Sequence, residues 1–109
     1  MKPKQVRQGD VLLDPTTLPT GAKLVRRGRL VLALGEATGH AHEVLDGIMY
    51  EKNGRFYLRV DTPTELAHTT SRQGRQLSDD HAPIALAPGT YEVVQQEEKL
   101  GDLWRTVSD

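Results

Sequence analysis

The sequence predicts an all-β protein, a small antiparallel barrel or sandwich. Short apolar and β-branched runs alternate with glycine, proline and Asn-Gly turn signals along most of the chain. No segment keeps the helical period of 3.6 residues for three turns, and any helix is expected within residues 69–80 or near the C-terminus. Because 109 residues suit one domain and neither a repeat nor a linker is visible, we expect a single domain spanning residues 1–109.

The first predicted strand is the apolar run of residues 11–13. It is expected to stop at Asp14-Pro15, because proline has no N–H to donate to a sheet. Two prolines and a glycine then predict a loop over residues 15–22.

The second predicted strand is the apolar run of residues 30–34, which lies between two glycines. Its length and branched side chains favour a central strand over a helix. Residues 35–39 are expected to form a connection, and residues 40–45 to continue as an extended segment.

The strongest local signal is Asn53-Gly54, the preferred pair for a two-residue type I′ turn, since both positions need a positive φ. This turn predicts a β-hairpin with a fixed register. Its cross-strand pairs are expected to be Lys52 with Arg55, Glu51 with Phe56, and Tyr50 with Tyr57.

The second half of the chain contains further short strands. We expect them at residues 64–68, 90–97 and 103–107. Residues 69–80 hold one apolar side chain and show no periodicity, which predicts a mobile loop.

The composition narrows the chemistry. The chain has no cysteine, so disulfides and thiolate metal sites are excluded and any metal must be held by histidine and carboxylate groups. No apolar run is long enough to span a membrane, and we expect a soluble, cytoplasmic protein. An exposed edge strand would permit a homodimer, which the sequence does not require.

The four histidines form the main chemical signal. His40 and His42 are two residues apart, so in a strand they share one face at about 6.5–7 Å. His68 ends one predicted strand and His81 begins another. If these strands flank residues 40–45, the four side chains converge on a divalent transition metal, with zinc the first expectation. The other interpretation is that they are ordinary hydrogen-bonded or exposed histidines at strand ends.

A metal held by histidines with one open position would support hydrolysis by metal-activated water. Glu36 or Asp80 would then be the proton acceptor, since both lie next to the histidine segments in sequence. The substrate would be a small molecule or a phosphate-containing ligand.

Four segments carry a recognisable pattern: Gly35-Glu36-Ala37-Thr38-Gly39-His40-Ala41-His42, His81-Ala82-Pro83-Ile84, Pro88-Gly89-Thr90-Tyr91-Glu92-Val93 and the opening Gln8-Gly9-Asp10-Val11-Leu12-Leu13. Together they resemble a small family of bacterial and phage proteins of unassigned function. The resemblance implies that the four histidines act together and implies no particular activity. A weaker similarity to cupins rests on a glycine followed by His-x-His, but Glu43 is adjacent where cupins place a glutamate several residues later.

The alternative function is that of a non-enzymatic accessory module. Residues 1–29 hold seven basic and two acidic side chains, and the compact run of Arg26, Arg27 and Arg29 could contact phosphates or an acidic partner. Exposed aromatic residues would then stack nucleic-acid bases, with Tyr50, Phe56 and Tyr57 as candidates. This alternative predicts that replacing His40 and His42 is silent and that replacing the arginines is not.

Overall fold

The computed structural model describes residues 2–34, 40–70, 76–77 and 82–95. These residues form an antiparallel sheet of nine strands that curls into a nearly closed barrel, with no helix among them. The predicted all-β fold is therefore confirmed. The strands are β1 (Val6–Gln8), β2 (Val11–Thr16), β3 (Lys23–Leu34), β4 (His40–Lys52), β5 (Arg55–Val60), β6 (Thr64–Thr70), β7 (Gln76–Leu77), β8 (Ile84–Leu86) and β9 (Gly89–Gln95).

Strand β4 organises the sheet because it has three partners. Along one edge it pairs with β3. Along the other edge its first half pairs with β6 and its second half with β5. The strand order runs β1-β2-β9-β5-β4-β6-β7, with β8 attached to β6. The histidine segment of β4 therefore lies directly beside β6.

The core fills the inside of the barrel with alternate side chains of each strand. It includes Leu13, Leu58, Leu66 and Tyr91, none of which is exposed. Gly47 on β4 leaves room for this packing, because a Cβ there would lie 2.7 Å from the Leu58 Cδ1 atom. A larger residue at this position would require the Leu58 side chain to shift.

The hairpin is confirmed in detail. Asn53 and Gly54 have φ angles of 52° and 79°, the left-handed values that a type I′ turn requires. The pairs between β4 and β5 are those predicted from the sequence: Lys52 with Arg55, Glu51 with Phe56, and Tyr50 with Tyr57.

The predicted stop of the first strand at Asp14-Pro15 is wrong. Strand β2 continues to Thr16 and pairs with β9 throughout. Its other edge pairs with β1 only as far as Leu13, opposite Val6. In the described structure Pro15 thus lies where β2 has a single neighbour, a position at which proline is tolerated.

The second predicted strand is present but starts earlier. β3 begins at Lys23, so the basic residues before Gly28 belong to the strand itself. Within the described residues β3 pairs with β4 alone, so its central position stays a prediction. Register shifts at three places along β3 explain why its first half shows no clear alternation of polar and apolar residues.

The predicted loop at residues 69–80 is partly strand. Thr69 and Thr70 complete β6, and β7 pairs with them. The mobility of the loop remains a prediction, because residues 71–75 and 78–81 lie outside the described residues. So do the connection at 35–39 and the strand predicted at 103–107. None of the described residues form a helix of membrane-spanning length and apolarity.

Candidate functional site

The centre of the candidate site is a cross-strand pair of histidines. The β4–β6 register places His42 directly opposite His68. The ring centroids are 4.8 Å apart, the ring planes are inclined at 41°, and each residue is only 5% exposed. Val44 and Leu66, two residues away on the same strands, belong to the core, so both histidines lie on the inner face of the barrel.

Gln8, at the end of β1, connects this pair to the rest of the barrel. Its Oε1 atom lies 2.9 Å from Nδ1 of His42. Its Nε2 group donates to the backbone oxygens of Leu66, at 3.3 Å, and Ala82, at 3.1 Å. Gln8 is 3% exposed, and its bonds to His42 and Leu66 are buried, whereas the bond to Ala82 is partly buried. Sequence reasoning did not assign Gln8 a role; its signal is that it shares the buried face of β1 with Val6.

A second buried polar group occupies the opposite face of the same strands. The carboxylate of Glu43 accepts a hydrogen bond from the Thr69 hydroxyl group. The Nε atom of Arg29 lies 3.5 Å from its other oxygen. The Glu43 side chain is 2% exposed, whereas that of Arg29 is 51% exposed. Since successive residues of a strand face opposite sides, Glu43 and His42 belong to separate groups.

The structure brings His42 and His68 together, and it places the backbone of His40 on β4 opposite Thr70. Among the described residues no set of three or more histidine, cysteine, aspartate or glutamate side chains is arranged to hold a metal ion.

The other predicted site residues, Glu36, Asp80 and His81, lie outside the described residues. Ala82 follows His81 in the sequence, and its carbonyl oxygen accepts the hydrogen bond from Gln8.

The three arginines of the predicted basic run, Arg26, Arg27 and Arg29, have different surroundings. Arg27 is exposed and lines a cleft of about 420 Å³ together with Asp46, Arg59 and Asp61. Two hydrogen bonds join Arg59 to Asp61, at 3.0 and 3.2 Å, and the hydrogen bond to Asp61 raises the pKa of Arg59. Arg29 is held by Glu43 on β4 instead. Arg26 is half-buried.

The aromatic residues proposed for base stacking are largely inaccessible. Phe56 is 6% exposed and belongs to the core, and Tyr57 is 8% exposed. Tyr50 is half-buried, with the Arg59 guanidinium carbon 5.6 Å from its ring centroid. Of the three candidates for base stacking, Phe56 and Tyr57 are therefore too buried to stack on a base.

Comparison with known proteins identifies a family and no activity. No curated protein matches the chain. No solved structure matches it either. A family described as a domain of unknown function (DUF8820) matches residues 7–96, a segment that contains Gln8, His42 and His68. Because this match covers most of the sequence, the chain belongs to the DUF8820 family.

Proposed function

We propose that this protein binds a divalent transition metal through His42 and His68 on the inner face of its barrel. The observation that supports this proposal is the cross-strand pairing, which brings two imidazole rings from different strands to a centroid distance of 4.8 Å. Imidazole nitrogen suits zinc, copper, nickel and iron, and no thiolate in the chain competes for the ion. Zinc is the first candidate.

The location of the pair supports a chemical role over a structural one. His42 and His68 lie on the inner face beside a core of leucine and valine, where apolar side chains would be expected. Burying polar groups costs free energy, and apolar groups of similar shape often serve stability as well or better. We therefore expect the two buried imidazole groups to serve a purpose other than stability, namely the binding of a cation.

Two further ligands are proposed from the sequence. His40 precedes His42 by two residues on β4. His81 immediately precedes Ala82, which Gln8 contacts. A metal with an open position would activate water, and we propose hydrolysis as the reaction class, with Glu36 or Asp80 as proton acceptor. The similarity of the sequence motifs to those of phage proteins and the weaker similarity to cupins remain proposals.

The test is the metal content of the purified, untagged protein, measured by elemental mass spectrometry. We expect near-stoichiometric metal in the wild type. Removing a ligand should weaken zinc binding by at least the roughly 10–100-fold that loss of an outer-shell partner costs. His42→Ala and His68→Ala should therefore lose the metal.

Glu43→Gln is the matched control, because it alters the neighbouring residue on the opposite face and should retain the metal. A wild-type protein that carries no metal and is not thermally stabilised by zinc, manganese or nickel would contradict the proposal. A metal-loaded protein would then be screened for chelator-sensitive hydrolysis of phosphate esters.

The basic strand gives the second candidate function, recognition of a phosphate-containing or acidic partner. The observation in its favour is that Arg27 is exposed and lines a cleft with Arg59. Two aspartates line the same cleft, which weakens its attraction for anions. The histidine pair is therefore the stronger proposal.

A further inference from the structure

Gln8 makes three hydrogen bonds that together leave one orientation for its side-chain amide. Its Nε2 group faces two backbone carbonyl oxygens, those of Leu66 and Ala82. Carbonyl oxygens only accept hydrogen bonds, so the NH2 end of the amide must point toward them. The oxygen end of Gln8 consequently faces Nδ1 of His42, at 2.9 Å.

This orientation determines where the proton of His42 lies. The amide oxygen only accepts, so Nδ1 of His42 must carry the hydrogen that it receives. In the neutral ring the lone pair is then on Nε2. Histidines that bind metals commonly donate their other ring N–H to a carbonyl, carboxylate or water, which fixes both the tautomer and the ring orientation.

We propose that Gln8 is the positioning residue of the histidine pair: it holds His42 in the Nδ1–H form and so makes Nε2 the metal-binding nitrogen. The metal-binding part rests on the function proposed above, whereas the tautomer does not. Gln8 also anchors β1 to the strand that carries His68 and to the residue after His81, through Leu66 and Ala82.

Glutamine suits this position better than its closest relatives. Glutamate would accept a hydrogen bond from His42 but has no N–H for the two carbonyl oxygens. Asparagine is shorter by one methylene group and would not span the same three partners. An apolar residue would leave buried polar groups without their bonds, which is costly at a position that is 3% exposed.

The tautomer is measured directly by long-range ¹H–¹⁵N NMR of the histidine rings in metal-free protein, well above the ordinary histidine pKa of about 6.5. We expect the Nδ1 resonance of wild-type His42 to have the shift of a protonated nitrogen and the Nε2 resonance that of an unprotonated one. A wild-type His42 with its proton on Nε2 would overturn the inference without any variant.

Two substitutions separate the acceptor of Gln8 from its donor. Gln8→Met keeps the length and removes both, so we expect the Nε2–H form to gain population and zinc affinity to fall about 10–100-fold. Gln8→Glu keeps an acceptor, so Nδ1 should remain protonated. Gln5→Met is the matched control, because Gln5 is exposed and bonds only Asp14 among the described residues.

The outcomes distinguish this inference from the proposed function. A Gln8→Met protein whose His42 keeps Nδ1 protonated would overturn the positioning role. A wild type with Nδ1 protonated that binds no zinc would support the role of Gln8 and contradict the metal proposal. Zinc binding by a protein whose metal-free His42 carries its proton on Nε2 would contradict the role of Gln8 alone.

Discussion

Strands β4 and β6 carry a buried polar group on each of their two faces, and the two groups differ in kind. On the outer face the Glu43 carboxylate receives the Thr69 hydroxyl group and the Arg29 guanidinium. On the inner face the imidazole rings of His42 and His68 lie side by side, and Nδ1 of His42 faces the side-chain amide of Gln8. The outer group joins opposite charges of the protein itself, whereas for the inner group we propose a bound cation.

Under the proposed function, neighbouring residues of one strand divide structural support from ligand binding. The charge of Glu43 is matched by a cation that β3 supplies, so removing that cation should reduce stability. The imidazoles instead offer lone pairs, so removing one should reduce ligand binding more than stability. The predictions below test this division, starting with the largest expected effect on stability.

Replacing Arg29 by methionine should destabilise the fold and leave the metal in place. The variant removes the Arg29 charge from a carboxylate that is 2% exposed. Because Arg29 itself is 51% exposed, we expect a loss of about 1–2 kcal/mol in the free energy of unfolding, below the full value of a buried charged hydrogen bond. Urea denaturation measures the loss, and elemental mass spectrometry follows the metal.

The double variant Arg29→Met/Glu43→Gln is the control. A neutral amide needs no cation, so the double variant should be more stable than Arg29→Met alone. If Arg29→Met instead lost its metal while its unfolding curve was unchanged, the two faces would be coupled and the division would be wrong.

Tyr91 is expected to have a smaller effect on stability. It is a polar residue inside the barrel whose hydrogen-bond partner lies four residues earlier in the chain. Its hydroxyl group donates to the Ala87 oxygen at 2.6 Å. Burial raises the pKa of Tyr91 above its ordinary value of 10.0. The fold thus favours the neutral phenol, so this contribution to stability is complete below pH 10.0 and is lost as the pH rises through the pKa of the folded protein.

Tyr91→Phe should cost about 1 kcal/mol at neutral pH, the value of one hydrogen bond. The difference in unfolding free energy between wild type and variant should shrink above pH 10.0, because only the wild type has this phenol to ionise. A difference that stays constant with pH would show that Tyr91 is not favoured in its neutral form. Metal content should be the same in both proteins.

Local signals predicted much of this fold. The Asn53-Gly54 pair specifies a turn by backbone conformation alone, so it predicted both the hairpin and its register. The extended segment predicted at residues 40–45 is confirmed, since β4 begins at His40. In each case the information lies within a few residues of the chain.

The features that the sequence did not reveal depend on pairings between distant segments. The role of Gln8 requires β1 to lie near β4, β6 and Ala82, which no local pattern specifies. The extent of β3 was obscured by register shifts, because a bulge breaks the alternation of faces on which strand prediction depends. The sequence predicted that His42 and His68 would lie close together only if their strands were neighbours. The structure shows that β4 and β6 are paired.

The smallest expected effect concerns Arg27, the exposed member of the basic run. Replacing it by glutamine should change the free energy of unfolding by less than about 0.5 kcal/mol, since its side chain is exposed. Because Asp46 and Asp61 line the same cleft, we also expect the substitution to leave the affinity for a single-stranded oligonucleotide almost unchanged.

Lys23→Gln is the matched control, because Lys23 is an exposed cation at the start of the same strand. Binding would be measured by fluorescence anisotropy over a range of salt concentrations. If Arg27→Gln selectively weakened a strongly salt-dependent interaction and Lys23→Gln did not, β3 would be a specific phosphate-binding surface. The basic strand β3 would then bind the partner, and the histidine pair would only stabilise the fold.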